Sequence, residues 1–175
     1  MFKTLALVVV ALLAGVLLYA ATRPDSFQIE RSTRIEAPPE KVFALIHDLR
    51  QFNRWNPYEK KDPAIQGRYG QVEAGPGAGY SWVSDEVGAG SMEIVESIAP
   101  SRVAMKLDFV KPFEAHNQAV FTVQPAGSGS EVRWLMQGPS PYVSKLMGLI
   151  FDMDQMVGKD FDDGLANLKR LAETQ

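Results

Sequence analysis

Cysteine is missing from all 175 residues, so disulfides, thiolate metal sites and cysteine nucleophiles are excluded, while the compartment is left open. Histidine is nearly as scarce, and His47 and His116 stand too far apart to pair as zinc ligands. The charge balance is slightly acidic, at −3, with no polybasic run, which argues against a general nucleic-acid partner. No G-x-S-x-G, P-loop or dinucleotide-binding context occurs. Gly75-Pro76-Gly77-Ala78-Gly79 carries a proline and opens no helix, so it reads as a loop. Nothing in the chain implies a cofactor.

What is abundant comes first in the sequence. Residues 5–21 form an uncharged apolar run behind Lys3, with Arg23-Pro24-Asp25 after it. As a helix these residues reach about 26 Å, close to the ~30 Å of a hydrocarbon core. The run therefore reads as a single-pass N-terminal membrane anchor. A cleaved signal peptide is the competitor, but residues 18–22 make a poor cleavage site. The α-amino group and Lys3 favour a cytoplasmic N-terminus and an extracytoplasmic domain. The expected division is an anchor and linker over residues 1–24 and one domain over 25–175, a length that can bury a substantial core. The short tether, residues 22–26, spans at most ~17 Å and so holds that domain against the bilayer.

The domain alternates like sheet at first. Phe27, Ile29, Thr33 and Ile35 share one face of an expected strand. Pro38-Pro39-Glu40 then opens a short helix carrying Val42, Phe43, Ile46 and Leu49, and a second short helix is closed by Pro57. Five further strands are expected, on Tyr80/Trp82/Ser84, Met92/Ile94/Ile98, Val103/Met105/Leu107/Phe109, Ala119/Phe121/Val123 and Val132/Trp134/Met136. Turns are expected at 88–90, 99–101 and 127–130, with a longer break at Lys111-Pro112-Phe113. Connections this short imply antiparallel pairing. After Ser140-Pro141, apolar residues recur every three or four positions at Leu146, Ile150, Met153, Val157, Phe161, Leu165 and Leu168. That periodicity predicts one amphipathic helix over 141–172, with a bend at Gly148, Gly158 or Gly164. The class is α+β. One helix facing a sheet of six or seven strands requires the sheet to curl and leaves a space between them.

Ala37-Pro38-Pro39-Glu40-Lys41-Val42-Phe43 and the run from Asp48 through Trp55 to Pro57 resemble the opening of the polyketide cyclase/dehydrase-like branch of the START-like superfamily (SRPBCC). So do Met92–Ser97 with the Pro100 turn, and the segments 148–156, 159–161 and 164–168. The resemblance implies a helix-grip fold around a deep cavity. It implies no catalytic residue, because the superfamily shares a pocket and not a catalytic motif.

Tyr80, Trp82, Met105, Phe109, Phe121, Trp134, Met136, Met153, Val157 and Phe161 are the expected ligand-binding residues. Methionine adapts to varied apolar shapes, and Trp or Tyr adds a polar tip. Ordinary core packing is the competing reading for each. His47 is expected at a helix C-terminus, where a cation suits the dipole, and His116 and Asp108 are expected in solvent. Asp152, Asp154, Asp160, Asp162 and Asp163 are read as a solvated helix face, with Asp154 nearest the apolar stripe, and no metal site is expected. The expected function is a membrane-held binding module for a lipid-like or other apolar small molecule. A cyclase- or dehydrase-like enzyme using the same cavity and a protein-interaction domain with a filled core are the alternatives.

Overall fold

Alternating apolar residues lay down six of the seven antiparallel strands, and helices precede and follow the sheet. The computed structural model describes residues 2–174, so positions 1 and 175 of the expected segments lie outside it. The order is α1 (Phe2–Ala21), β1 (Ser26–Ile35), α2 (Pro39–His47), α3 (Leu49–Trp55), α4 (Pro57–Lys61), β2 (Gln66–Tyr69), β3 (Gly79–Ser84), β4 (Gly88–Ile98), β5 (Arg102–Lys111), β6 (Ala115–Ala126), β7 (Gly129–Pro139), α5 (Tyr142–Met147) and α6 (Met153–Thr174). The strands form one curled sheet ordered β1-β7-β6-β5-β4-β3-β2. α6 lies in its concave face, which is the expected helix-grip arrangement.

The grip is tight over the later part of α6, where Phe161, Leu165, Leu168 and Ala172 are buried. Trp134 of β7 stacks on Phe161 at 4.0 Å and 8°. Trp55 meets Trp134 edge-on at 5.8 Å, and its indole N–H donates to the Leu45 carbonyl at 2.8 Å. Polar ties hold the same end. Lys169 donates to the Arg34 carbonyl at 2.7 Å, and Glu173 accepts from the Glu36 N–H at 2.8 Å.

Several local expectations are corrected. Asp48 ends α2 and caps α3, its carboxylate accepting from the N–H groups of Arg50 and Gln51. Pro57 opens α4 instead of stopping a helix, because a missing N–H costs nothing in a first turn. The sequence reading missed β2, a four-residue edge strand without alternating burial. Gly88 to Gly90 belong to β4, the turn falling at 85–87. A bulge between Ile94 and Glu96 reverses the facing of the strand, so Ile98 is exposed rather than in line with Met92 and Ile94. Gly129 and Ser130 are paired in β7, leaving a two-residue turn. The long helix is broken after Met147, and Ile150 projects into solvent.

Gly158 and Gly164 do not bend α6; they let it approach the sheet. A Cβ at 158 would fall 1.9 Å from the Arg31 guanidinium, and one at 164 would meet the Trp134 ring at 2.8 Å and Pro57 at 3.0 Å. Arg31 can swing aside, but the indole and proline rings are wedged in the core. Gly164→Ala is therefore expected to lower stability. Overpacking of ~1–3 kcal/mol outweighs the ~1 kcal/mol that alanine adds to helix propensity. A urea melt is the check, and a raised midpoint would contradict this packing.

Candidate ligand-binding cavity

Each strand sends every second side chain to the concave face, so the wall of any space inside the curl is set by strand register. Tyr80 and Trp82 come from β3, Met92 from β4, Met105, Leu107 and Phe109 from β5, Ala119 and Phe121 from β6, and Trp134 and Met136 from β7. Met153, Val157 and Phe161 of α6 close the side opposite the sheet. Together they bound an open cavity of about 1670 Å³. All ten residues singled out in the sequence line it. They are not equivalent. Phe121, Trp134, Phe161 and Met105 form a floor shared with the packed core, whereas Met153 is 50% exposed at the mouth.

One part of the wall is polar, and the sequence reading missed it. The Tyr80 hydroxyl donates to Glu59 at 2.5 Å, and Tyr58, Lys61 and Asp160 line the cavity beside them. Lys61 pairs with Asp160 at 2.7 Å. Burial lifts the Tyr58 phenol above its ordinary pKa, and the neighbouring Asp160 carboxylate adds to the shift. Tyr80 is raised in the same way, by burial first and then by Glu59. α4 carries three of these groups. Reading Pro57 as a helix stop left that helix out, and helical periodicity placed Asp160 with the solvated aspartates. Asp154 and Asp162 are not free on that face either; both pair with Arg31, at 3.0 and 3.6 Å. Asp163 pairs with Lys159 in solvent. Among the described residues no group of three or more His, Asp or Glu side chains is placed to hold a metal ion.

The mouth opens between the β5–β6 hairpin, the end of β7 with α5, residues 148–152 and the first turn of α6. Phe113, Met147, Ile150, Phe151 and Met153 line it and are exposed, and Tyr142, Val143 and Met156 are exposed on the neighbouring turns of α5 and α6. His47 stands in the last turn of α2 as expected, and its ring stacks on Phe43 at 5.0 Å. His116 is exposed yet not alone, since its Nδ1 lies 2.7 Å from Asp108 and its Nε2 3.4 Å from Glu114. Asp108 is half-buried beneath it, and Lys106 holds its other oxygen at 2.7 Å.

A family described as "Polyketide cyclase / dehydrase and lipid transport" matches residues 26–173. Solved structures with the same fold include protein CV1439 from Chromobacterium violaceum, at 16% identity and a TM-score of 0.62, covering 87% of this chain and 100% of that one. Ara h 8.0201 follows at 15% identity and 0.60, covering 86% and 99%. DynU16, described as a putative protein in the dynemicin biosynthetic locus, matches at 14% and 0.60, covering 87% of this chain and 48% of that one. At such identities the likeness is one of fold. No protein of curated function matches in sequence.

The hairpin at the mouth yields a titration test. Hydrogen bonding to Asp108 raises His116 above its ordinary pKa of 6.5, with Glu114 adding charge. Lys106 first and His116 second hold Asp108 below 3.8. The raised imidazole stabilises the fold below about pH 6.5 and loses that effect as pH rises through its folded pKa. The depressed carboxylate stabilises above 3.8 and fails as pH falls. The pair is thus fully formed between those two values. NMR titration should place His116 above 6.5 and show it falling back in Asp108→Asn; an unshifted wild-type histidine would contradict the pairing.

Proposed function

Because this chain belongs to the polyketide cyclase / dehydrase and lipid transport family, we propose that it is a binding module for one lipid-like or other apolar small molecule, held at a membrane by α1. The carrying observation is the cavity itself. Pockets for drug-sized ligands measure roughly 300–1,000 Å³, and an open cavity of about 1670 Å³ walled by aromatic, methionine and aliphatic side chains has room for a longer molecule. An open space of that size argues against the filled core of an interaction domain. The ten wall residues from Tyr80 to Phe161 contact the ligand's apolar part, and Tyr80 with Glu59 and Tyr58 with Asp160 meet its polar end. α1 is uncharged from Leu5 onward and exposed along nearly its whole length, as a helix is when its apolar surface belongs in lipid. The residues before β1 act as anchor and linker, and the domain lies on the extracytoplasmic side.

The same polar groups favour a second reading, an enzyme of the cyclase or dehydrase kind, since phenols held against carboxylates can pass protons. In a carrier, Tyr80→Phe costs one hydrogen bond to the ligand, about 0.5–1.5 kcal/mol or a several-fold faster release. In an enzyme the bound molecule would be retained and recovered chemically unchanged.

Uptake of a fluorescent fatty acid is the direct test. A chain starting at residue 25, with its fold checked by circular dichroism, should bind the probe and lose the emission of Trp82 and Trp134, which face the cavity. Val157→Trp should project a larger ring into the cavity and weaken uptake while leaving the fold intact. No uptake by the unaltered chain, with Val157→Trp destabilised by the ~1–3 kcal/mol of an overpacked core, would refute the carrier reading. Full-length protein should also stay with membranes through a carbonate wash, and a mature N-terminus near Ala21 would refute the anchor.

A further inference from the structure

Only four residues separate the end of α1 from the start of β1. Strand direction alternates across the antiparallel sheet, so the features at the end where β1 begins follow from topology. They include the β5–β6 hairpin, the β3–β4 turn and the end of β7, which leads into α5 and, beyond residues 148–152, the start of α6. These are the segments that surround the cavity mouth. They also carry bulky apolar side chains that face outward: Phe113 is 64% exposed, Ile150 79% and Met156 58%, and Val143, Phe151 and Met153 on the same segments are exposed as well. Large outward apolar groups gathered on neighbouring segments mark an interaction surface.

α5 fixes where that surface stands relative to α1. The Tyr142 hydroxyl donates to the Leu17 carbonyl at 2.9 Å. Leu17 lies four residues before the end of α1, about 6 Å back along its axis. Asp25 ties the same elements together, its carbonyl accepting from the Ser140 N–H at 2.7 Å and its carboxylate from Lys145 at 2.5 Å. With α1 in a bilayer, α5 therefore stands at the depth of the headgroup boundary, the level that suits the amphipathic ring of Tyr142.

We propose that the apolar rim of the cavity is a second membrane contact, inserted into the bilayer leaflet that holds the end of α1. The mouth then faces acyl chains, and an apolar ligand passes between leaflet and cavity without crossing water. The inference rests on α1 being a membrane anchor, and it assigns the ligand's source: the bilayer itself, not a soluble donor.

The absence of cysteine makes the test direct, because each introduced thiol is the sole labelling site. Phe113→Cys, Ile150→Cys and Met156→Cys would each carry an environment-sensitive fluorophore on the full chain, reconstituted in phosphatidylcholine vesicles containing lipids doxyl-labelled near the top of the acyl chain. Leu12→Cys reports the anchor. Ser128→Cys reports the β6–β7 turn at the opposite end of the sheet. Rim labels quenched at least half as strongly as Leu12, with Ser128 unquenched, are the expected result. Rim labels as silent as Ser128 beside a quenched Leu12 would overturn the rim contact and leave the anchor standing. Rim labels shielded from water but unquenched would assign the rim to a protein partner or a second copy, and would also overturn it. An unquenched Leu12 would remove the anchor and the inference with it. Quenched rim labels on a chain that takes up no fatty acid would sink the carrier reading alone.

Discussion

One helix cannot cover seven strands, and the rest of the molecule follows from that mismatch. Six inter-strand spacings of about 4.8 Å make a sheet ~29 Å wide, while a helix with its side chains is ~10–12 Å across. The sheet curls to meet α6, and contact is close where Trp134 stacks on Phe161 and meets Trp55 edge-on. The three short helices between β1 and β2 fill the same end, with Val42, Ile46, Leu49, Phe52 and Trp55 buried. At the other end the first turn of α6 is exposed, and the space under it stays open. Core and cavity are thus two ends of one concave face.

The asymmetry is maintained by a few specific contacts. Arg31 reaches from β1 past Gly158 to Asp154 and Asp162, tethering the early turns of α6, where apolar packing is sparser than further along the helix. Lys61 and Asp160 tie α4 to the same helix and leave the phenols of Tyr58 and Tyr80 on the wall. These pairs are partly exposed, and such ion pairs contribute ~0–1 kcal/mol each. Their effect is geometric: they fix where the polar groups of an otherwise apolar cavity stand.

Much of this was legible in the sequence because side-chain alternation survives a change of neighbours. Tyr80, Trp82, Met105, Phe109, Phe121, Trp134 and Met136 reach the cavity since each follows the period of its own strand, and Val157 and Phe161 since they follow that of the helix. What was hidden depended on events that a period does not encode. The bulge at Ile94 reversed Ile98. β2 has no apolar alternation to announce it. A proline that ends one helix and begins another reads as a stop, which concealed α4 and with it Tyr58, Glu59 and Lys61. Asp160 and His116 find their partners across long sequence gaps or a hairpin, and spacing alone could not supply those contacts.

The central claim is that the open end of the concave face is an occupied site in the working protein. Native mass spectrometry of the full-length chain, released from membranes in a mild detergent, measures that occupancy directly. The expected spectrum carries one additional apolar molecule per chain, of a mass between a fatty acid and a phospholipid, which survives detergent exchange and is depleted in Val157→Trp. A bare chain mass, or an adduct carried equally by both proteins, would contradict it.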